Sequence, residues 1–390
     1  MDLFQQFYNN TQTYFEEKGC VHTAREIAHQ PDMWRKLAVT LKENQQAINQ
    51  FVTQMGSLKD MRIILTGAGS SGFVGHAVSG FAAKSGVHTE AIHTTDIVSA
   101  PETYLFADKP TLLISFARSG NSPESVGAVQ YARKMVKNLY ELAIVCDGES
   151  KLSKITRESD KSLLLVMPEG TNDKGFAMTS SVSCMTLAGF AFFNGDKIDE
   201  LAADIAILAN QVEKDGQAIS KAALTCAGFG SARAWYLGSG PLTALVKEGA
   251  LKMMELTNGA VVAGHNSSTE FRHGPKTVMN PQTVTVHFVS NNPFTRKYDM
   301  DLLNELYRER MGNKVVALHD AASPVEADLA VPYVSQGYGV AADVAVGLQG
   351  LVFMQLLSMH TSLALGVGTD NPSPSGLVNR VVQGVTVYPL

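Results

Sequence analysis

Three charged residues stand at i, i+4 and i+7 in Glu248-Gly249-Ala250-Leu251-Lys252-Met253-Met254-Glu255, so on a helix they share one face. Glutamate is a residue type that can serve in acid–base chemistry. An ordinary solvated face with i,i+4 ion pairs has the same spacing. A second candidate is Leu112-Leu113-Ile114-Ser115-Phe116-Ala117-Arg118-Ser119-Gly120-Asn121-Ser122-Pro123-Glu124-Ser125, an apolar strand entering a hydroxyl-rich turn and then a helix. Ser122 suits the N-cap and Pro123 the first helical position, which aims free amides and the positive helix end into the turn. Ser119 and Ser122 add hydroxyl donors, Gly120 permits a positive φ, and Arg118 adds charge. Such a turn can take a phosphate, although the same residue types also make plain strand-to-helix turns.

Two further clusters carry weaker signals. Gly67-Ala68-Gly69-Ser70-Ser71-Gly72 satisfies the dinucleotide pattern GxGxxG, with Glu90 or Asp96 as the downstream acid. Glycine turns between strand and helix are common, so the pattern alone does not make a dehydrogenase. Ala177-Met178-Thr179-Ser180-Ser181 offers Thr179 and Ser180 to a ligand, or as helix caps. His265 and His273 are eight apart and no HExxH occurs, so neither a metal nor another cofactor is expected.

The elements that must carry these residues follow from the periodicity. Up to about Asp60 the chain is polar and helical, with Thr23-Ala24-Arg25-Glu26 reading as a capping box and Pro31 interrupting before Met33 to Met55. Short apolar runs then alternate with helices: Ile63 to Leu65, Thr111 to Phe116, Leu142 to Val145 and Leu163 to Met167. After a helical stretch near Asp199 to Ala222 the scheme repeats, at Ala234 to Leu237, Thr283 to Val289, Val315 to Leu318 and Leu329 to Val334. Both series put a glycine turn after the first strand and a polar turn after the second. The expectation is an α/β protein of two tandem units, each a mostly parallel sheet flanked by helices in a flavodoxin-like three-layer sandwich, behind a helical lead-in. The boundaries read as residues 1–45 for the lead-in, 46–205 and 206–370 for the two units, and 371–390 for a closing tail.

Composition limits the partners. A chain of 390 residues with 45% apolar and 18% charged residues buries a core, and a net charge of −5 offers no basic footprint for nucleic acid or anionic lipid. The apolar stretches Phe176 to Phe193 and Val340 to Val367 contain hydroxyls and Asp343, Gln349, Gln355 and His360, and so read as core helices rather than membrane spans. Met1-Asp2-Leu3-Phe4-Gln5-Gln6 has no basic start or apolar run, and the four scattered cysteines form no CxxC pair. A cytoplasmic protein with reduced thiols is expected.

Ser119-Gly120-Asn121-Ser122 resembles the Ser-Gly-Glu-Thr phosphate loop of the sugar isomerase (SIS) family, with Asn121 in place of the acid and Ala117 where members often have serine. Gly69-Ser70-Ser71 is similar to that family's Gly-Ser-Ser turn, which implies a sugar contact for Ser71, and Thr179 and Ser180 fall where the family places another. Glu-Gly-Ala-Leu-Lys-x-x-Glu resembles the isomerase domain of glutamine:fructose-6-phosphate amidotransferase. The resemblance implies Glu255 as the base between C1 and C2, with Glu248 and Lys252 beside it. Ser268-Thr269-Glu270-Phe271-Arg272-His273-Gly274-Pro275 is similar to the same enzyme's Gly-Glu-Leu-Lys-His-Gly-Pro, which implies that His273 opens the sugar ring, in the neighbouring subunit of a homodimer. Near the C-terminus Gln383 replaces the family's Schiff-base lysine, and Arg380 is left to reach the substrate from the tail. The whole chain, including the ending Asn371 to Val385, resembles the AgaS-type branch. This implies a phosphorylated aminosugar as partner, galactosamine 6-phosphate plus water giving tagatose 6-phosphate and ammonia. The absence of a glutaminase unit fits the degradative direction. The alternatives are aldose-ketose isomerisation without ammonia, or a sugar-phosphate sensor without catalysis.

Overall fold

Branched aliphatic runs bounded by glycine and hydroxyl turns form the strands, and the helices between them return the chain so that every strand runs the same way. The computed structural model describes residues 2–382 and 384–390. Four helices come first, α1 (Leu3–Tyr8), α2 (Gln12–Glu17), α3 (Val21–Ala28) and α4 (Gln30–Met55). The first alternating series begins with β1 (Arg62–Thr66), α5 (Ser70–Ala82), β2 (Thr89–Ala91), α6 (Thr94–Ser99) and α7 (Pro101–Tyr104). It continues with β3 (Thr111–Ala117), α8 (Pro123–Met135), β4 (Leu139–Val145), α9 (Lys151–Thr156), β5 (Ser162–Val166) and α10 (Ser180–Phe192). After α11 (Ile198–Ala227) come β6 (Arg233–Gly238), α12 (Leu242–Leu256), β7 (Val262–Asn266) and α13 (Ser268–Phe271). The second series ends with β8 (Thr283–Phe288), α14 (Thr295–Glu309), β9 (Lys314–Asp320), β10 (Leu329–Tyr333) and α15 (Ala342–Ala364).

The sheets have the orders β2-β1-β3-β4-β5 and β10-β9-β8-β6-β7. All their pairings are parallel. With β6 matched to β1 and β7 to β2, the two orders are the same flavodoxin-like order, which confirms two copies of one α/β unit. Strands β2 and β7, both on the same edge of their sheets, add to the eight expected from the pattern. One local expectation is corrected. Thr23 and Glu26 lie inside α3, not at its start, and serve tertiary partners: the Thr23 amide and hydroxyl both donate to Asp370 at 2.9 Å, and Glu26 accepts the Gly175 amide at 3.1 and 3.2 Å. The interruption expected at Pro31 is the break between α3 and α4, and Pro31 occupies the first turn of α4, where a missing N–H costs nothing.

Two compact units result, each assembled from separated stretches of chain. One comprises Met33–Asp173, Ser180–Ala202 and Val378–Leu390. In it Ile64, Leu113, Ala143 and Val145 of the first sheet pack on Ile97, Ala128, Ala132 and Leu152 from α6, α8 and α9. Helices α5 and α10 cover the other face so closely that a Cβ on Gly189 would meet Val78 at 2.8 Å and Phe116 at 3.0 Å. The other unit comprises Met1–Asp32, Lys174–Thr179 and Ala203–Leu377. Here Leu237, Val315 and Ala317 pack on Leu302, Leu303 and Leu306 of α14. On the opposite face α15 lies against α12, and a Cβ on Gly350 would meet the Phe288 ring at 2.3 Å. Each fully buried Leu or Val contributes about 1.5–3 kcal/mol.

Among the described residues, α15 is the one helix long and apolar enough to cross a membrane. It is instead a core helix, and its polar groups are paired inside the unit. Gln349 donates to the Val334 carbonyl at 2.9 Å and accepts its amide at 3.0 Å, Gln355 accepts from Gln30 at 2.8 Å, and His360 Nε2 lies 3.1 Å from Ser220 Oγ.

Burial holds two histidines of this unit far below the ordinary value of 6.5: His287 in β8 at about 3 and His360 at about 4. Neither ring nitrogen of His287 has a hydrogen-bond partner. Between pH 6.5 and these values the unfolded chain binds protons that the folded chain refuses, so stability falls as the pH drops. At pH 5 the loss is about 2 kcal/mol per histidine. Thermal unfolding from pH 7 to pH 5 should show a falling midpoint, and His287→Val should flatten the slope. An equal slope in wild type and variant would show that His287 is not buried neutral.

Candidate active site

The first unit's site is built at the carboxyl ends of β1 and β3, the point where the strand order reverses and doubly wound sheets place ligands. After β1, Gly69 adopts φ +55 and lets the chain turn into α5, where Ser71 is buried in the first turn. The glycines are needed for packing: a Cβ on Gly72 would stand 2.1 Å from the His93 ring, and one on Gly67 would run into the Ser71 main chain at 2.5 Å. Glu90, the candidate ribose acid, is instead clasped by Arg62 at 2.6 and 2.8 Å, and this guanidinium lowers its pKa.

After β3 the turn forms as the residue types require. Gly120 has φ +60, and a Cβ there would meet Ser150 Oγ at 2.3 Å, so two constraints exclude a side chain. Ser122 caps α8, accepting the Ser125 amide at 3.4 Å and sharing a 2.7 Å hydrogen bond with its hydroxyl, and Pro123 stands in the first turn. Ser119 Oγ accepts the Asn121 amide at 3.3 Å and keeps its own proton to donate. The Asn121 side chain is used by the scaffold. It donates to the Ser119 carbonyl at 2.9 Å and accepts the Lys151 amide at 3.0 Å, tying this turn to the one after β4. Arg118 is buried and donates to the Arg380 carbonyl at 2.8 Å. The Arg380 guanidinium in turn donates to the Asp173 carbonyl, from Nε at 3.0 Å, and to Asn172 Oδ1 at 3.3 Å.

Asp173 was not singled out from the sequence, yet it organises this end of the unit. Fully buried, it accepts the amides of Ser180 and Ser181 at 3.1 and 3.0 Å and both hydroxyls at 2.5 Å. Ser180 Oγ is thus a cap donor to Asp173. The turn Thr171-Asn172-Asp173-Lys174-Gly175 was the available signal. Ser150, the cap of α9 against which Gly120 packs, was also missed. Thr179, in the other unit, is buried, and its carbonyl accepts from Gln355 at 3.4 Å. Gln383 lies outside the described residues.

The other unit holds the charged trio on α12. Glu248 and Lys252 are buried, with Lys252 Nζ 3.2 Å from Glu248 and 2.5 Å from Glu255, whose side chain keeps 27% of its surface exposed. Spacing on one face had predicted a meeting; burial decides that this is no solvated face. Desolvation pushes the Lys252 ammonium down, the two carboxylates push it up, and the balance leaves its pKa above the ordinary lysine value. Lys252 is therefore a fixed cation. His273 lies exposed on the turn after α13, its amide donating to the Glu270 carbonyl at 2.9 Å. A capping box between Ser267 and Glu270 holds that turn.

Among the described residues no group of three or more His, Cys, Asp or Glu is placed to hold a metal ion. All four cysteines are free, and burial raises Cys146 and Cys226 to about 12, so these thiols are poor nucleophiles. The hydroxyls and amides of the turn after β3 are of the type that binds an anion, and the Glu255 carboxylate is of the type that moves a proton.

Comparison with known proteins bears on that chemistry. Residues 58–195 match the SIS domain family. The chain is 41% identical over 375 residues to the AgaS protein of Streptomyces coelicolor, covering 96% of this chain and 97% of that protein. It is 38% identical to the D-galactosamine-6-phosphate deaminase AgaS of a Shewanella species, covering 95% of this chain and 92% of that one. The crystal structure of tagatose-6-phosphate ketose/aldose isomerase from Escherichia coli superposes with a TM-score of 0.86 at 35% identity, over 94% of this chain and 96% of that one.

Lys252→Met removes the cation from beside a buried carboxylate and should destabilise the protein by about 3–5 kcal/mol. Adding Glu248→Leu should recover most of that. Urea unfolding followed by circular dichroism measures both, and a single-variant loss under about 1 kcal/mol would mean the pair is solvated.

Proposed function

The chain belongs to the AgaS family of SIS-domain proteins, and from that premise we propose that it is a D-galactosamine-6-phosphate deaminase that works by proton transfer between C2 and C1. The observation that carries the reading is the α12 trio, a buried Glu248-Lys252 pair backing a Glu255 carboxylate that reaches solvent. A sensor that only binds a sugar phosphate has no use for a carboxylate mounted on a buried cation.

In this reading the C6 phosphate is held by Ser119, the amides at the start of α8 and Ser122, with Ser71 on a sugar hydroxyl and Arg118 adding charge. Asn121, Ser180 and Arg380 shape the surrounding turns. Thr179 remains a candidate sugar contact, as does Gln383 from the tail. His273 carries a proton to the ring oxygen, giving the open aldehyde. Glu255 takes the proton from C2 and returns it to C1, while O1 gains a proton and the amine nitrogen gives one up, converting the aminoaldehyde through an enol to a C2 imine with a C1 hydroxymethyl group. Water adds to C2, ammonia leaves, and tagatose 6-phosphate remains. Glu248 and Lys252 keep Glu255 in place throughout. As the resemblance implies, His273 serves the site of a second copy, so the working form is a homodimer.

The solved isomerase neighbour favours one second reading, in which a C2 hydroxyl replaces the amine and no ammonia forms. Ammonia release from galactosamine 6-phosphate, compared with glucosamine 6-phosphate and with tagatose 6-phosphate isomerisation, separates the two. Glu255→Gln should lower kcat by about 10²–10⁴ with little change in KM. Ser119→Ala should chiefly raise KM. Binding of galactosamine 6-phosphate by wild type with no ammonia released would sink the deaminase reading.

A further inference from the structure

The roles above leave the buried carboxylate of Asp299 without a task. It stands in the second turn of α14, 1% exposed, and gathers donors from three strand ends of its sheet. Ser239 Oγ after β6 donates at 2.5 Å, Ser268 Oγ after β7 at 2.6 Å, and the Ser290 amide after β8 at 2.9 Å. The ends of β6 and β8 flank this sheet's own reversal of strand order, as the loops holding Ser71 and Ser119 to Ser122 flank the first. Where the first sheet presents its donors to an outside anion, the second has spent them on an anion of its own. Hydrogen bonds to an ionised acceptor are about twice as strong as neutral ones, so three of them fasten these loops firmly.

One of those donors, Ser268, opens α13, and His273 closes the turn that follows, its amide bonded to the Glu270 carbonyl. Beyond the imidazole the segment returns to the same helix. Arg272 pairs with Glu305 at 2.7 Å, and Lys276 pairs with Glu305 and, at 2.7 Å, with Glu309. His273 itself is exposed, and its side chain makes no hydrogen bond or ion pair among the described residues, while its neighbours Arg272 and Lys276 are anchored to α14. An exposed loop histidine would otherwise sample many positions, and proton transfer needs one.

We infer that α14 is the mount of His273, with Asp299 and Glu305 as positioning residues that fix the 268–276 segment and so present the imidazole at one point. The inference rests on the reading of His273 as the ring-opening group. Glu305 carries the more robust test, because it lies at the surface and its loss does not threaten the core. Asp299 probes the buried end: in Asp299→Asn the amide keeps one acceptor for the serine hydroxyls and loses the second negative oxygen, and in Asp299→Ala the carboxylate is gone.

Two measurements decide the matter. Amide hydrogen exchange, which needs no substrate, should rise about tenfold or more across residues 267–276 in Glu305→Gln and in Asp299→Asn, with other segments unchanged. Ammonia release from galactosamine 6-phosphate should then lose about tenfold in kcat with KM held within about twofold, and the Glu305→Gln loss should vanish in a His273→Ala background. Formate, as a free carboxylate, should restore part of the kcat of Asp299→Ala. Unchanged exchange at 267–276 in Glu305→Gln would overturn the mount, as would a kcat loss that persists in full without His273. If the Asp299 variants do not fold, Glu305→Gln decides alone. If wild type releases no ammonia, the reading of function fails while hydrogen exchange still judges the mount.

Discussion

Buried main-chain N–H groups that no helix or strand pairs must find an acceptor, and in this chain side-chain carboxylates supply it at the joints of each unit. In one unit Asp173 takes the amides of Ser180 and Ser181 at the start of α10. In the other, Glu26 takes that of Gly175, Asp370 that of Thr23, Asp204 those of Gly339 and Ala341, and Asp299 that of Ser290. A carboxylate offers about four acceptor sites, so one acid can close a loop that neutral groups would close only in twos and threes. Turns closed this way are irregular in path yet fixed in place.

The same constraint explains how one topology repeated twice comes to do two things. At the reversal point of each sheet, loops of hydroxyls and amides converge by geometry alone. In the first sheet's unit the acid, Asp173, binds the start of the neighbouring helix, and Ser119 Oγ accepts the Asn121 amide within its own turn. In the second sheet Asp299 reaches into the convergence itself and takes Ser239, Ser268 and Ser290 together. On the proposed reading, placing an acid one way or the other suits the same scaffold to be a receptor or a clamp. A sequence repeat can thus preserve the fold while losing its residue identity, since the residues that differ are those that decide which use is made.

How much could be read from the sequence follows from the range of the interactions involved. Central strands such as β3 and β8 are seven- and six-residue runs buried along their whole length, and their signal is local. Edge strands β2, Thr-Glu-Ala, and β7, Val-Ala-Gly-His-Asn, are half-buried and pair on one side only, so they carry no apolar run to notice. The turn after β3 and the α12 face were legible because cap, glycine and i,i+4 spacing are written within fifteen residues. Thr23 and Glu26 misled for the opposite reason: their partners Asp370 and Gly175 lie 347 and 149 residues away. Asp173 and Asp299 escaped notice likewise, the first beside an ordinary turn and the second inside an amphipathic helix. The roles of Glu255 and His273 came from resemblance, because no spacing rule distinguishes a catalytic carboxylate from a surface one.

Burial itself argues that the α12 trio is not there for stability. Replacing a buried ion pair by well-packed apolar side chains is often neutral or stabilising by about 1–4 kcal/mol, and the helix already buries Leu245, Met253 and Leu256 nearby. What the charges supply is constancy through a change of protonation. If Lys252 faced Glu255 alone, a proton arriving on that carboxylate would leave an ammonium buried without its counter-ion, at a cost of several kcal/mol. With Glu248 on its other side at 3.2 Å, Lys252 remains paired whichever state Glu255 is in. On the proposed reading of Glu255 as the base, that carboxylate accepts and returns a proton while the cation beside it stays paired with Glu248. On that reading the buried Glu248 carboxylate is what lets the exposed Glu255 serve repeatedly.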